Sequence, residues 1–94
     1  MAMEFDWDPV KADSNIDTHG ISFSEAATVF ADPLSITISD PRHSIGEDRY
    51  VLFGRSSAGR LLAVMHTERG STIRIISARH LTSRERKEYE EGAI

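Results

Sequence analysis

The sequence predicts an α+β domain in which two N-terminal helices precede a four-stranded antiparallel sheet and a C-terminal helix closes the chain, the order ααββββα. Three observations carry this. Capping signals open helical patterns near both ends, the hydrophobic period changes to two at Leu34, and short connections join the strands that follow. The 94 residues suffice for one core and not for two, so the expected organisation is a single domain over 1–94.

Asp8-Pro9 reads as a helix start, an N-cap followed by a proline whose missing N–H costs nothing at the first helical position. That helix runs to His19 and stops at Gly20. Ser22-Phe23-Ser24-Glu25 has the spacing of a capping box, and Phe23, Ala26, Ala27 and Phe30 form the apolar stripe of a second helix ended by Asp32-Pro33. Leu34, Ile36 and Ile38 alternate with Ser35, Thr37 and Ser39 as in a half-buried strand. After the polar segment Asp40 to Asp48, further strands are read at 50–53, 61–67 and 72–79, joined at Ser56–Gly59 and Arg69–Ser71. Connections this short make neighbours antiparallel. Thr82-Ser83-Arg84-Glu85 is a second capping box, opening the C-terminal helix.

Composition narrows the function. The chain has no cysteine, which removes disulfide, zinc-ribbon and thiol chemistry and suits a reducing cytosol. No run approaches the roughly 18 apolar residues of a membrane span, and no basic-then-apolar leader opens the chain, so the expected location is the cytoplasm. The four histidines lack metal-ligand spacing, and no metal or cofactor is expected. Net charge is -4, against a nucleic-acid binder, but the distribution is uneven. Residues 1–47 carry nine acids and two bases, whereas residues 49–87 carry nine bases, eight of them arginine, and two acids. Two readings stand for that run: a surface for phosphate or carboxylate, and the solvated edge of a sheet.

The strings Phe5-Asp6-Trp7-Asp8-Pro9-Val10-Lys11, Asn15 and His19-Gly20-Ile21-Ser22-Phe23-Ser24-Glu25-Ala26, with Arg74-Ile75-Ile76-Ser77-Ala78-Arg79, Glu85 and Tyr89, resemble the two signatures of the BrnT family. The resemblance spans nearly the whole chain. It implies a RelE-like fold and a ribonuclease toxin of a type II toxin–antitoxin pair that arrests translation. It also implies a partner, a BrnA-like ribbon-helix-helix antitoxin through which the toxin meets operator DNA only indirectly. Thr18 and His80 stand where the family commonly carries a basic residue, and each removes a fixed positive charge.

Metal-independent RNA cleavage needs a base for the 2′-OH proton, positive donors around the phosphate and an acid for the leaving oxygen. His66, His80 and Glu68 are the acid–base candidates, and Arg74 and Arg79 the catalytic cations. Arg55 and Arg69 at hairpin ends are candidate RNA contacts, as is Tyr89 through base stacking; the resemblance adds Lys11. Each has a plainer reading. His66 shares a strand face with Leu62 and Val64, as a core histidine would. Arg74 among isoleucines calls for an anion or a salt bridge, with Glu68 the expected partner. Arg84, Arg86 and Lys87 read as a solvated helix face, and Trp7 as a core anchor. Lys11, Asn15 and His19, four apart, share one helix face, either a site or a helix-to-sheet hydrogen-bond network. Strand parity separates Arg74 from Arg79 unless the strand ends or bulges between them. Two functions follow: a ribonuclease toxin, and a catalytically weak toxin fold that acts by binding its antitoxin.

Overall fold

The computed structural model describes residues 3–92; Met1, Ala2, Ala93 and Ile94 of the expected domain lie outside the described residues. A strand absent from the predicted order comes first, Glu4–Asp6 (β1), too short to show a period of two. Asp8 then caps Pro9–His19 (α1) by accepting from the Val10 N–H at 2.9 Å, and Gly20 ends it in the left-handed conformation at φ 69°. Phe23–Thr28 (α2) tightens into a 3₁₀ turn, Val29–Ala31. Ser22 caps α2, but Glu25 does not complete the box: its carboxylate is held by Arg60 and by the Ser56 hydroxyl, the latter at 2.7 Å.

Ile36–Ser39 (β2), Arg49–Arg55 (β3), Leu61–Arg69 (β4) and Thr72–His80 (β5) form the predicted meander, and Ser83–Glu91 (α3) opens with the predicted capping box complete. Because β1 pairs parallel with β5, the sheet is five-stranded and mixed, in the order β1-β5-β4-β3-β2. The four-stranded antiparallel sheet is corrected accordingly. Sequence periodicity misses β1 because three residues running into a capped helix carry no alternation to read.

The core lies between the helices and one sheet face, where Ile21, Phe23, Ala26 and Val29 meet Leu52, Leu62, Val64, Ile73, Ile75 and Ala78. Trp7 packs edge-on against Phe23 at 6.0 Å, the core anchor expected of it. On the other face, Phe53, Leu61, Ala63 and Tyr89 are also buried near α3 and Thr67 is buried toward the opposite end, while Val51, Met65 and Ser77 between them are only partly covered.

Candidate active site

Beta-strand alternation, read against the register, fixes which side chains share the open face. Arg49 aligns with Thr67 and Arg74, Val51 with Met65 and Ser77, Phe53 with Ala63 and Arg79. Arg74 and Arg79 are five positions apart and in a regular strand would point opposite ways. They do not, because the register slips between Met65 and His66: Ser77 pairs with Met65, Ile75 with His66, and Ile76 is left as a bulge. The core side therefore carries Ile73, Ile75 and Ala78, and the open side both arginines.

The bulge also sets what lies beside β5. Beta1 pairs only with Thr72, Ile73 and Arg74, so the strand edge beyond the bulge needs another partner. Asn15 supplies it from α1: its side-chain amide donates to the carbonyls of Ala78 and Ile21 at 2.9 and 2.8 Å and accepts from the Ala78 N–H at 3.1 Å. One buried carboxamide thus stands in for a strand's peptide group. Of the polar row on α1, Asn15 is the helix-to-sheet network, while Lys11 and His19 remain exposed beside Ser77 at the rim of a shallow groove.

That groove shares Ile76 and Ser77 with a deeper cavity of about 350 Å³, lined by Asp40, His43, Arg49, Val51, Met65 and Arg79 as well. Three arginines of the open face have carboxylate partners. Arg79 is held by a bidentate pair with Glu85, at 2.7 and 3.0 Å, on α3, and this pairing holds the Glu85 carboxyl below its usual range. Arg74 faces Asp6 at 3.4 Å, not Glu68, because β1 places Asp6 beside it in register. Arg69 pairs with Glu47 at 3.3 Å. Among the described residues, Arg49 has no ion pair, and its Nε is buried without a hydrogen-bond acceptor. At the cavity wall the His43 Nδ1 lies 2.8 Å from the Asp40 carboxylate; since a carboxylate only accepts, Nδ1 carries a proton, and in the neutral ring the lone pair is on Nε2.

The predicted acid–base residues lie elsewhere. His66 is only 2% exposed on the helix side of the sheet, edge-on to Phe30 at 4.8 Å and stacked on Tyr50, with Nδ1 on the Val64 carbonyl at 3.2 Å. It is the core histidine of the plainer reading. Glu68 follows the same parity, exposed at the far end of β4. His80 aligns with Leu62, on the side opposite Arg79. Tyr89 cannot stack a base: it is 9% exposed and its hydroxyl donates to Asp32 at 2.7 Å. Arg55 folds back on the Gly59 carbonyl at 3.0 Å, beside a separate hollow that includes Asp32 and Ser57. Sequence reasoning counted Arg49 among the basic residues without giving it a role, and passed over His43; the Arg49, Val51, Phe53 alternation was the available signal for the first. No three His, Asp or Glu side chains converge as around a metal ion among the described residues.

An α+β sheet with one helix-covered face and one arginine-lined face is the setting in which the comparisons with known proteins fall. Residues 7–85 match the ribonuclease toxin BrnT of type II toxin–antitoxin systems, and the chain belongs to that family. Among solved structures, the 1.1 Å crystal structure of the Brucella abortus ribonuclease toxin BrnT is similar in fold, with a TM-score of 0.63 and 22% identity over 87% of this chain and all of that one. Among curated proteins, none matches this chain in sequence.

Proposed function

We propose that this member of the family cleaves RNA on its open sheet face without a metal ion, and that the loss of messages arrests translation. The observation that carries this is the bulge at Ile76, which turns Arg74 and Arg79 to one side of the sheet. Two guanidinium groups there meet the need for positive donors as charge accumulates on a phosphate in attack. The Arg79–Glu85 pair holds one fork in place before RNA arrives, Arg69 lies at the end of β4 near Arg74, and Lys11 lies beside Ser77 at the groove. The setting is the cytoplasm, consistent with a chain without cysteine; no helix among the described residues is long and apolar enough to cross a membrane. A ribbon-helix-helix antitoxin silences the toxin by offering acidic residues to the same face, so their dissociation constant weakens with salt.

The test is cleavage of a labelled single-stranded RNA by purified protein in excess EDTA, beside Arg79→Ala. Cleavage by the wild type, with a loss of about 100-fold or more in the variant, is the expected result. Full activity of Arg79→Ala removes Arg79 from the mechanism.

A second reading, a weak nuclease that works mainly by binding its antitoxin, is favoured by one observation: none of His66, Glu68 and His80 reaches the open face. Protein that is folded and free of partner, yet cuts no RNA, is its signature.

A further inference from the structure

Fixed cations alone do not complete a nuclease face, and the cavity beside them holds a histidine that is not engaged with an arginine. His43 sits in the turn Pro41–His43 before β3, at the wall of the cavity that Arg49 and Arg79 also line. Asp40 accepts from its Nδ1 and so orients the ring, which leaves Nε2 as the nitrogen that carries the lone pair in the neutral imidazole. Asp40 is itself anchored, its N–H donating to the Arg49 carbonyl at 2.8 Å and its carbonyl accepting from the Ser44 hydroxyl. The pair is therefore tied to the strand that carries Arg49. The imidazole is accessible, its side chain 64% exposed against 22% for Asp40, as a group that must meet a macromolecular substrate needs to be. Arg49 adds the second, independent observation. A buried guanidinium nitrogen without an acceptor is a costly arrangement that an anion in the adjoining cavity would relieve.

Resting on the nuclease reading above, we infer that His43 is the general base of RNA cleavage, with Asp40 as its positioning residue and Arg49 binding the scissile phosphate beside Arg79. In the step so assigned, Nε2 takes the proton of a ribose 2′-OH while the 2′ oxygen forms a bond to phosphorus. The bond from phosphorus to the 5′ oxygen breaks, and its electron pair leaves with that oxygen, which takes a proton from water. The imidazolium returns its proton to the hydroxide so formed. The products are a 2′,3′-cyclic phosphate and a 5′-hydroxyl, with no oxidant or reductant required.

The experiment is single-turnover cleavage of a labelled RNA oligonucleotide in excess EDTA by wild type, His43→Gly, His43→Gln, Asp40→Asn and Arg79→Ala. Binding of the same sequence, 2′-O-methylated so that it cannot react, is measured in parallel. Expected are a loss of about 100-fold or more in rate for both His43 variants, dissociation constants within about twofold of wild type, and partial recovery of His43→Gly by added imidazole. Asp40→Asn, which presents an amide donor to Nδ1 and moves the ring proton to Nε2, is expected to lose at least about tenfold in rate with binding kept. Wild-type rates in the His43 variants alongside an inactive Arg79→Ala overturn the assignment and leave the nuclease reading standing. A His43 loss matched by weaker binding, or one that imidazole does not relieve, also overturns it. If the wild type itself cuts nothing, the nuclease reading fails and the assignment falls with it.

Discussion

Asn15→Ala removes the two hydrogen bonds that close the edge of β5 and a third to the Ile21 carbonyl, and leaves two carbonyls and an N–H in or near the core without partners. Their desolvation sets the expected cost at about 2–4 kcal/mol, read as a lower urea midpoint at unchanged slope. His66 gives a residue-scale effect on pH. Burial pushes its imidazole below the ordinary value of 6.5, against the opposing influence of the Val64 carbonyl and the Glu68 charge. Below about pH 6.5 the unfolded chain takes up a proton that the folded core refuses. Stability is therefore fully present above the unfolded value and declines as pH falls toward the lower folded one. His66→Phe keeps the aromatic contacts and removes the titration, so thermal midpoints measured from pH 7 to 5 are expected to fall less in the variant than in the wild type. Equal slopes would locate the pH response in other groups.

At the scale of elements, β3 lies close against the 3₁₀ turn after α2. A Cβ on Gly54 would meet Val29 Cγ1 at 2.7 Å and Ser35 Cβ at 3.1 Å, so the strand lies against the helical layer only because this position has no side chain. Gly54→Ala is expected to cost about 1–3 kcal/mol, again measured by urea denaturation, because a packed strand and a packed turn must separate. Most element boundaries were legible in the sequence, since Asp8-Pro9, Gly20 and Thr82 act on the backbone within a few residues of themselves. The conflict in β5 was legible too, as an odd spacing between two arginines that the proposed cleavage places on one face. Its resolution at Ile76 was not, because a bulge is defined by the partner strand it fails to pair with. Beta1 and the Asp6 partner of Arg74 escaped notice for a similar reason: three residues gain strand character only from the β5 edge they join.

For the molecule as a whole, a net charge of -4 coexists with a face built from Arg49, Arg69, Arg74 and Arg79. Folding collects these cations on one side and gives most of them carboxylates that orient without removing their forks. If Arg49, Arg74 and Arg79 each neutralise one phosphate of a single strand, a plot of log association constant against log salt has a slope of about -2. Fluorescence anisotropy with labelled RNA between 50 and 200 mM salt, on the order used for such measurements, gives the slope directly. Arg49→Ala is expected to flatten it by about 0.7, and an unchanged slope would place the RNA off this face.

By itself the sequence determined the three helices and their starts, the four-strand meander and the basic character of the second half, because each follows from neighbours in the chain: caps, periodicity and short turns. Its signature strings were enough to mark the family. Tertiary structure decided which titratable groups meet. A side chain's face depends on register against a partner strand, so His66, Glu68 and His80 went to the helix side while the overlooked pair Asp40 and His43 came to the cavity beside Arg49 and Arg79.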